Sequence, residues 1–237
     1  MNTINAMFYI VLCIFANSTF LFSNINSYMF QFSKTTTNNG VVVDSVSGNL
    51  FSDKEKLYVD IQYPIQQKFI SEFDKTIIYY PEENRALSIP GPPTYFPFYN
   101  FLISSIVEDF GLSSRGFELD STRIDDFEKI MTTHWSPPAY LSEDINGVKM
   151  KIKDSNIIQV DTYSNTGFLF SSVRFSEFIS NNNYMMPSVI EIHGMRSKDD
   201  ISIEVVKLVN LQLNNDISQF ILDFTIPDDI IIENLEY

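Results

Sequence analysis

The chain has 237 residues, of which 44% are hydrophobic and 19% charged, with a formal net charge of −14. That balance excludes a disordered polar chain, and without a basic run interleaved with aromatics it excludes nucleic-acid binding and electrostatic attachment to an anionic bilayer. The single cysteine, Cys13, excludes an internal disulfide.

Residues 6–22, AMFYIVLCIFANSTFLF, are apolar and uncharged, and the first basic residue is Lys34. The apolar stretch 7–16 suits a signal h-region better than a full bilayer span. Residues 1–23 are therefore expected to be a signal peptide or an N-terminal anchor, and 24–237 a single domain. Cys13 follows Ile10-Val11-Leu12, which partly resembles a lipidation motif, with bulky Leu12 where a small residue is expected.

The first strand is expected over 28–37, followed by a turn at Asn38-Asn39-Gly40 and a second strand from Val41. Leu57, Val59, Ile61 and Tyr63 alternate with Tyr58, Asp60 and Gln62, the period of a strand. Pro64 ends it. Further strands are predicted over 67–70 and 76–80, separated by a turn at 71–75. Ile77, Ile78, Tyr79 and Tyr80 leave that last strand no polar side, so both of its faces require cover.

Residues 90–97, PGPPTYFP, predict a stiff irregular loop. Tyr99, Leu102, Ile103, Ile106, Val107 and Phe110 then recur at helical spacing, predicting a helix over 99–110 with Gly111 just past its end. After Gly116 the pattern returns to strands: 127–135, 148–152, 157–162, 167–175, 185–193, 201–209 and 220–226.

Catalytic and metal motifs do not emerge. His134 and His193 have no metal-ligand spacing, and Gly111-Leu112-Ser113-Ser114-Arg115-Gly116 has the wrong spacing for a nucleophile elbow. No glycine-rich phosphate loop is present, and Asp53, Glu55, Asp74, Glu82 and Glu83 fall in predicted turns. No cofactor is expected. The 21 Phe and 12 Tyr fit either an apolar cavity or an aromatic-rich core.

Three stretches carry a resemblance. The first is 48–89, with G-x-L, a charged turn, an aromatic strand ending Tyr-Pro, then Asp-Lys-Thr and Ile-Tyr-Tyr-Pro. The second is 161–192 and the third FTIPDDIII near the C-terminus. In this order they resemble the LolA family, periplasmic carriers of outer-membrane lipoproteins. The resemblance implies a mainly β fold, a single strongly curved antiparallel sheet forming an unclosed half-barrel of about 10–11 strands. In that fold helix 99–110 covers the concave face as a lid. Relatives place an amphipathic helix before the first strand; cleavage near Ser23 leaves no room for one here, so either the helix is absent or the N-terminal apolar segment is retained and substitutes for it.

A family carrier shields acyl chains. One chain of about sixteen carbons carries on the order of 12 kcal/mol of unfavourable exposure in water. The expected cavity wall comprises Val59, Ile61, Tyr63, Phe69, Ile77, Tyr79, Phe168, Phe170 and Ile190, with Leu102, Ile106 and Phe110 from the lid. Ordinary core packing is the competing reading for each. The family's lid-closing arginine has its nearest match in Lys54, which lacks the planar fork. The implied partners are acylated lipoproteins or lipid, an inner-membrane releasing transporter and an outer-membrane acceptor, with the chain acting as a monomer in the periplasm. A lipid-sensing module on the same fold and a surface interaction protein remain the alternatives.

Overall fold

Fourteen strands among the described residues join in one unclosed sheet, with the order β14-β6-β5-β4-β3-β2-β1-β13-β12-β11-β10-β9-β8-β7. In this computed structural model residues 25–53, 56–71, 75–91, 96–181, 184–197, 199–214 and 223–235 are described. The strands are β1 Ser27–Asn38, β2 Val41–Asp53, β3 Leu57–Tyr63, β4 Gln67–Ser71, β5 Lys75–Tyr80, β6 Arg85–Pro90 and β7 Glu118–Asp125. The remainder are β8 Ile130–Ser136, β9 Ile145–Lys153, β10 Asn156–Ser164, β11 Leu169–Asn181, β12 Tyr184–Ser197, β13 Asp200–Leu213 and β14 Ile232–Asn234. Among the described residues one α-helix, α1, spans Pro97–Ser104. No helix among the described residues is long and apolar enough to cross a membrane. The N-terminal segment 1–23, with Cys13, lies outside the described residues, as does Lys54.

The mainly β, single-sheet architecture matches the sequence reading, with three corrections. The strand number exceeds the 10–11 implied by resemblance. β7 went unrecognised because all eight of its residues are exposed, so ELDSTRID shows no apolar alternation. Of the predicted closing strand 220–226, residues 220–222 lie outside the described residues and 223–226 are not strand; β14 lies further along and pairs parallel to β6, with Ile232 opposite Ala86 and Asn234 opposite Ser88.

The chain forms two compact units. Among the described residues the first comprises 36–43 and 97–206, the second 25–35, 44–96 and 207–235. In the second unit, β3, β4 and β5 pair so that Val59 stands opposite Phe69 and Phe69 opposite Ile78. Val59, Ile61, Phe69 and Ile78 are buried on one side of the sheet, and Phe69 meets Phe96 edge-on at 5.0 Å. Gly48 sits opposite Ile61, beside an irregularity in the β2–β3 register.

The other side of these strands carries Tyr58, Asp60, Lys68 and Tyr79, paired across the strands. Phe224 lies against it, 5.6 Å from the Tyr58 ring and 6.4 Å from Tyr79. The Lys68 ammonium donates to Tyr58 Oη at 3.0 Å and to Asp60 Oδ1 at 2.9 Å, and lies 5.2 Å from the Phe224 ring. Burial disfavours its charge, yet the hydrogen bonds it donates to Tyr58 and Asp60 outweigh that and raise its pKa. A raised folded-state value makes this stabilisation complete at neutral pH and lost as pH rises beyond the ordinary lysine range. Phe224→Ala is expected to free the segment around 223–231, making it an early site of limited proteolysis. An unchanged digestion pattern would mean the segment is held by something other than this ring.

In the first unit, α1 buries Phe98, Phe101, Leu102 and Ile103, and the apolar stripe continues past it. The helix ends at Ser104, short of the predicted 110. Ser105 Oγ donates to the Leu102 carbonyl at 2.6 Å, competing with helical bonding. Ile106 and Val107 then bond three residues back, to Ile103 and Ser104. Phe110 nevertheless remains fully buried, stacked on Phe101 at 6.4 Å and set against Phe175 at 5.9 Å.

Candidate functional site

The inner side of the sheet in the first unit is the side on which Phe110 meets Phe175. Strand pairing fixes its membership: Met150 opposite Val160, Val160 opposite Val173, Val173 opposite Ile192, and Phe175 opposite Ile190. All of these are buried. The middle of this face is therefore solid, filled by α1 and the 105–112 turns rather than hollow.

Open space lies at the two ends of the strands. One cavity, of about 510 Å³, is lined by Phe168, Phe170, Met195, Thr36, Asn38 and Glu204, together with Ser164, Asn165, Thr166, Gly194, Arg196, Asp200 and Ser202. Another, of about 520 Å³, sits at the opposite strand ends, bordered by Ile106, Val107, Met131, Ile152, Ile157 and Met185 among others.

Local chemistry shapes the first cavity. Gly167, at φ +78°, closes a tight reversal in which its amide donates to the Ser164 carbonyl at 2.8 Å. The Phe168 amide donates to Ser164 Oγ at 3.1 Å. Asn165 ties the loop down, its backbone amide donating to the Asp144 carbonyl at 3.0 Å and its side chain to the Glu143 carbonyl. Thr162 opposes Ser171 and Tyr163 opposes Leu169, so Phe170 is the extra residue of a bulge. A bulge re-aims its side chain, and Phe170 lines the cavity although it is 7% exposed.

The predicted wall residues are divided between the two units. Val59, Ile61 and Phe69 are packed core of the second unit. Tyr63 continues the Val59 and Ile61 alternation but is 57% exposed at the strand end. Ile77 and Tyr79 belong to the opposite side of the sheet from Val59, because Ile78 takes the place across from Phe69. This is a one-residue error of phase on a strand apolar on both faces. In the first unit, Phe168 and Phe170 line the first cavity and Ile106 borders the second, while Leu102, Phe110 and Ile190 are fully buried packing.

Sequence reasoning missed Arg115, which it left in a loop. Its guanidinium donates to the Phe110 carbonyl at 3.0 Å and the Gly111 carbonyl at 2.7 Å. Phe110 and Gly111 both hold positive φ, at 58° and 71°. Asp109 supports the same turn, accepting from the Gly111 amide at 2.9 Å and the Ser113 amide at 3.1 Å. Burial draws the Arg115 pKa down, against the opposing influence of Asp109 and Tyr140. The only sequence cue was an arginine a few residues beyond a glycine at a helix end. Thr36, Ser202 and Glu204 were also missed, since nothing in their local pattern marks them as neighbours of Phe168.

No family model matches the chain, and no curated protein matches it. Solved structures do. A DUF1329 family protein from Desulfovibrio piger is similar at 12% identity and TM-score 0.58, over 94% of this chain and 98% of that one. A putative outer membrane lipoprotein-sorting protein domain from Vibrio parahaemolyticus is similar at 11% identity and TM-score 0.55, over 90% and 95%. A LolA superfamily protein from Nitrosomonas europaea is similar at 14% identity and TM-score 0.53, over 88% and 96%. At these identities the likeness concerns the path of the backbone, and the chain has the LolA-like fold.

Proposed function

We propose that this chain is a non-enzymatic carrier that binds acyl chains of lipoproteins, or a related lipid, with the first cavity as the point of entry. The observation that carries the reading is the cavity of about 510 Å³ on the inner side of a LolA-like sheet, with Phe168, Phe170 and Met195 in its lining. Its volume lies in the range of small-molecule sites, roughly 300–1,000 Å³. Aromatic and thioether side chains give adaptable, non-directional contact suited to a cargo that must later be released. The solid middle of the inner face limits how far a chain enters without displacing α1, so deeper loading requires the 97–112 segment to move.

The setting that fits is the periplasm, reached through segment 1–23, with an inner-membrane releasing transporter and an outer-membrane acceptor as partners. Native mass spectrometry of protein purified from its own envelope is expected to show a bound acyl species. Phe168→Glu, at a half-buried site, should strip that species while the β circular-dichroism signal stays. Retention equal to the parent's would remove Phe168 from the binding surface, and absence of any acyl mass in the parent would end the carrier reading. A lipoprotein-transfer assay separates a shuttle from a sensor that binds without delivering.

A further inference from the structure

Beside the first cavity stands a hairpin tip that folding leaves apolar and open to water. β1 ends at Asn38 and β2 begins at Val41, joined by Asn39 and Gly40 at φ of +49° and +81°. Two linking residues at positive φ make the tight turn whose flanking residues pair directly. Asn38 therefore faces Val41 across the ribbon, and Thr36 faces Val43. Thr36 and Asn38 line the cavity, so Val41 and Val43 continue that side past the lining. Val42 points to the other side. The turn is fastened to β13: the Asn39 amide donates to the Ile201 carbonyl at 3.0 Å, and Asn39 Oδ1 accepts from the Ile201 amide at 3.0 Å.

Val41, Val42 and Val43 are 66%, 61% and 55% exposed. Three adjacent valines in water, on both sides of a ribbon, mark a contact surface. Two observations choose what it contacts. No charged residue lies between Lys34 and Asp44, in a chain of net charge −14, and those two pair with each other at 3.7 Å. The tip thus carries no charge with which to match a charged partner. Its area decides the rest. Three valine side chains fall well short of the roughly 800 Å² per partner that a standard protein interface buries. Shallow burial at the headgroup–acyl boundary of a bilayer scales with apolar area instead, and stays weak and reversible for a small anchor.

We propose that the 36–43 hairpin dips Val41–Val43 into the surface of a zwitterionic bilayer and holds the cavity mouth against it. This adds a membrane-contact site to the carrier reading, and rests on that reading only for its purpose, which is to pass a tail between bilayer and cavity without crossing water. The net charge of the chain opposes the same contact with an anionic bilayer.

The test uses the full chain carrying Val42→Trp, a position on the side away from the cavity lining, with vesicles of phosphatidylcholine brominated on its acyl chains. Emission from the new tryptophan is expected to shift to the blue and to be quenched by the brominated lipid. Trp135, the sole tryptophan of the parent and 8% exposed, supplies the background and should not respond. Val41→Asp in the same background should weaken vesicle affinity about tenfold, and adding phosphatidylglycerol should weaken it too. Quenching no greater than the parent's, equal affinity with Val41→Asp, or tighter binding to the anionic vesicles overturns the docking site. So does a dimer in sedimentation velocity that Val42→Asp dissolves, which would give the valines to a second copy. The carrier reading fails separately: an envelope-purified parent with no acyl mass ends it, whatever the quenching shows.

Discussion

Phe110→Ala is expected to lower the unfolding free energy by about 3–5 kcal/mol, the range for deleting a buried aromatic ring. The ring is fully buried between Phe101 and Phe175 and ties the 105–112 turns to the sheet. Its backbone sets up a second comparison. Phe110 holds φ at +58°, a left-handed conformation that disfavours side chains and suits glycine. Phe110→Gly loses the same ring but relieves the backbone, so it should equal or exceed Phe110→Ala in stability by up to about 1 kcal/mol. Urea midpoints at constant m-value measure both variants. A Phe110→Gly protein clearly weaker than Phe110→Ala would show that the left-handed turn contributes no strain.

The second large effect belongs to Gly48→Ala. A Cβ at that position would stand 2.3 Å from the Asp60 carbonyl oxygen and 3.0 Å from Ile61 Cα, both backbone atoms. No rotamer change relieves such a clash, so β2 and β3 must separate. The expected loss is about 3 kcal/mol, at the upper end of overpacking effects. Gly147→Ala is the graded control: its Cβ would meet the Trp135 carbonyl oxygen at 3.0 Å, close but not impossible, and should cost about 1 kcal/mol. Thermal melts of the two variants decide the matter, and equal melting temperatures would mean that the β2–β3 approach yields easily.

The sequence was most legible where one face of a strand is polar. Leu57, Val59 and Ile61 alternate cleanly, and β3 runs where the pattern places it. The Asn39-Gly40 turn is also as read, with φ of +49° and +81°. Legibility failed where the pattern carries no contrast. Ile77 through Tyr80 are apolar throughout, so nothing local says which of them turns toward Phe69; only the pairing of Phe69 with Ile78 does. The helical stripe from Tyr99 to Phe110 is real as a buried surface, but Ser104 and Ser105 end the α-helical bonding that spacing alone would extend. The candidate site was half legible. Phe168 and Phe170 stood out as aromatics in a strand, whereas Thr36 and Glu204 are brought together by pairing across more than 160 residues, as the Thr37 bond to Ile203 shows.

β7 ends the sheet order with Glu118, Asp120, Arg123 and Asp125 spread along its eight exposed residues. An open strand margin is a template on which another copy can stack, and flanking Leu119 and Ile124 would make such stacking attractive. The ionic fringe interrupts it in a parallel, in-register stack, where each added copy would bring like charges into line. An exposed, charged edge strand of this kind opposes edge-to-edge stacking, at the cost of a strand whose own sequence scarcely announces it.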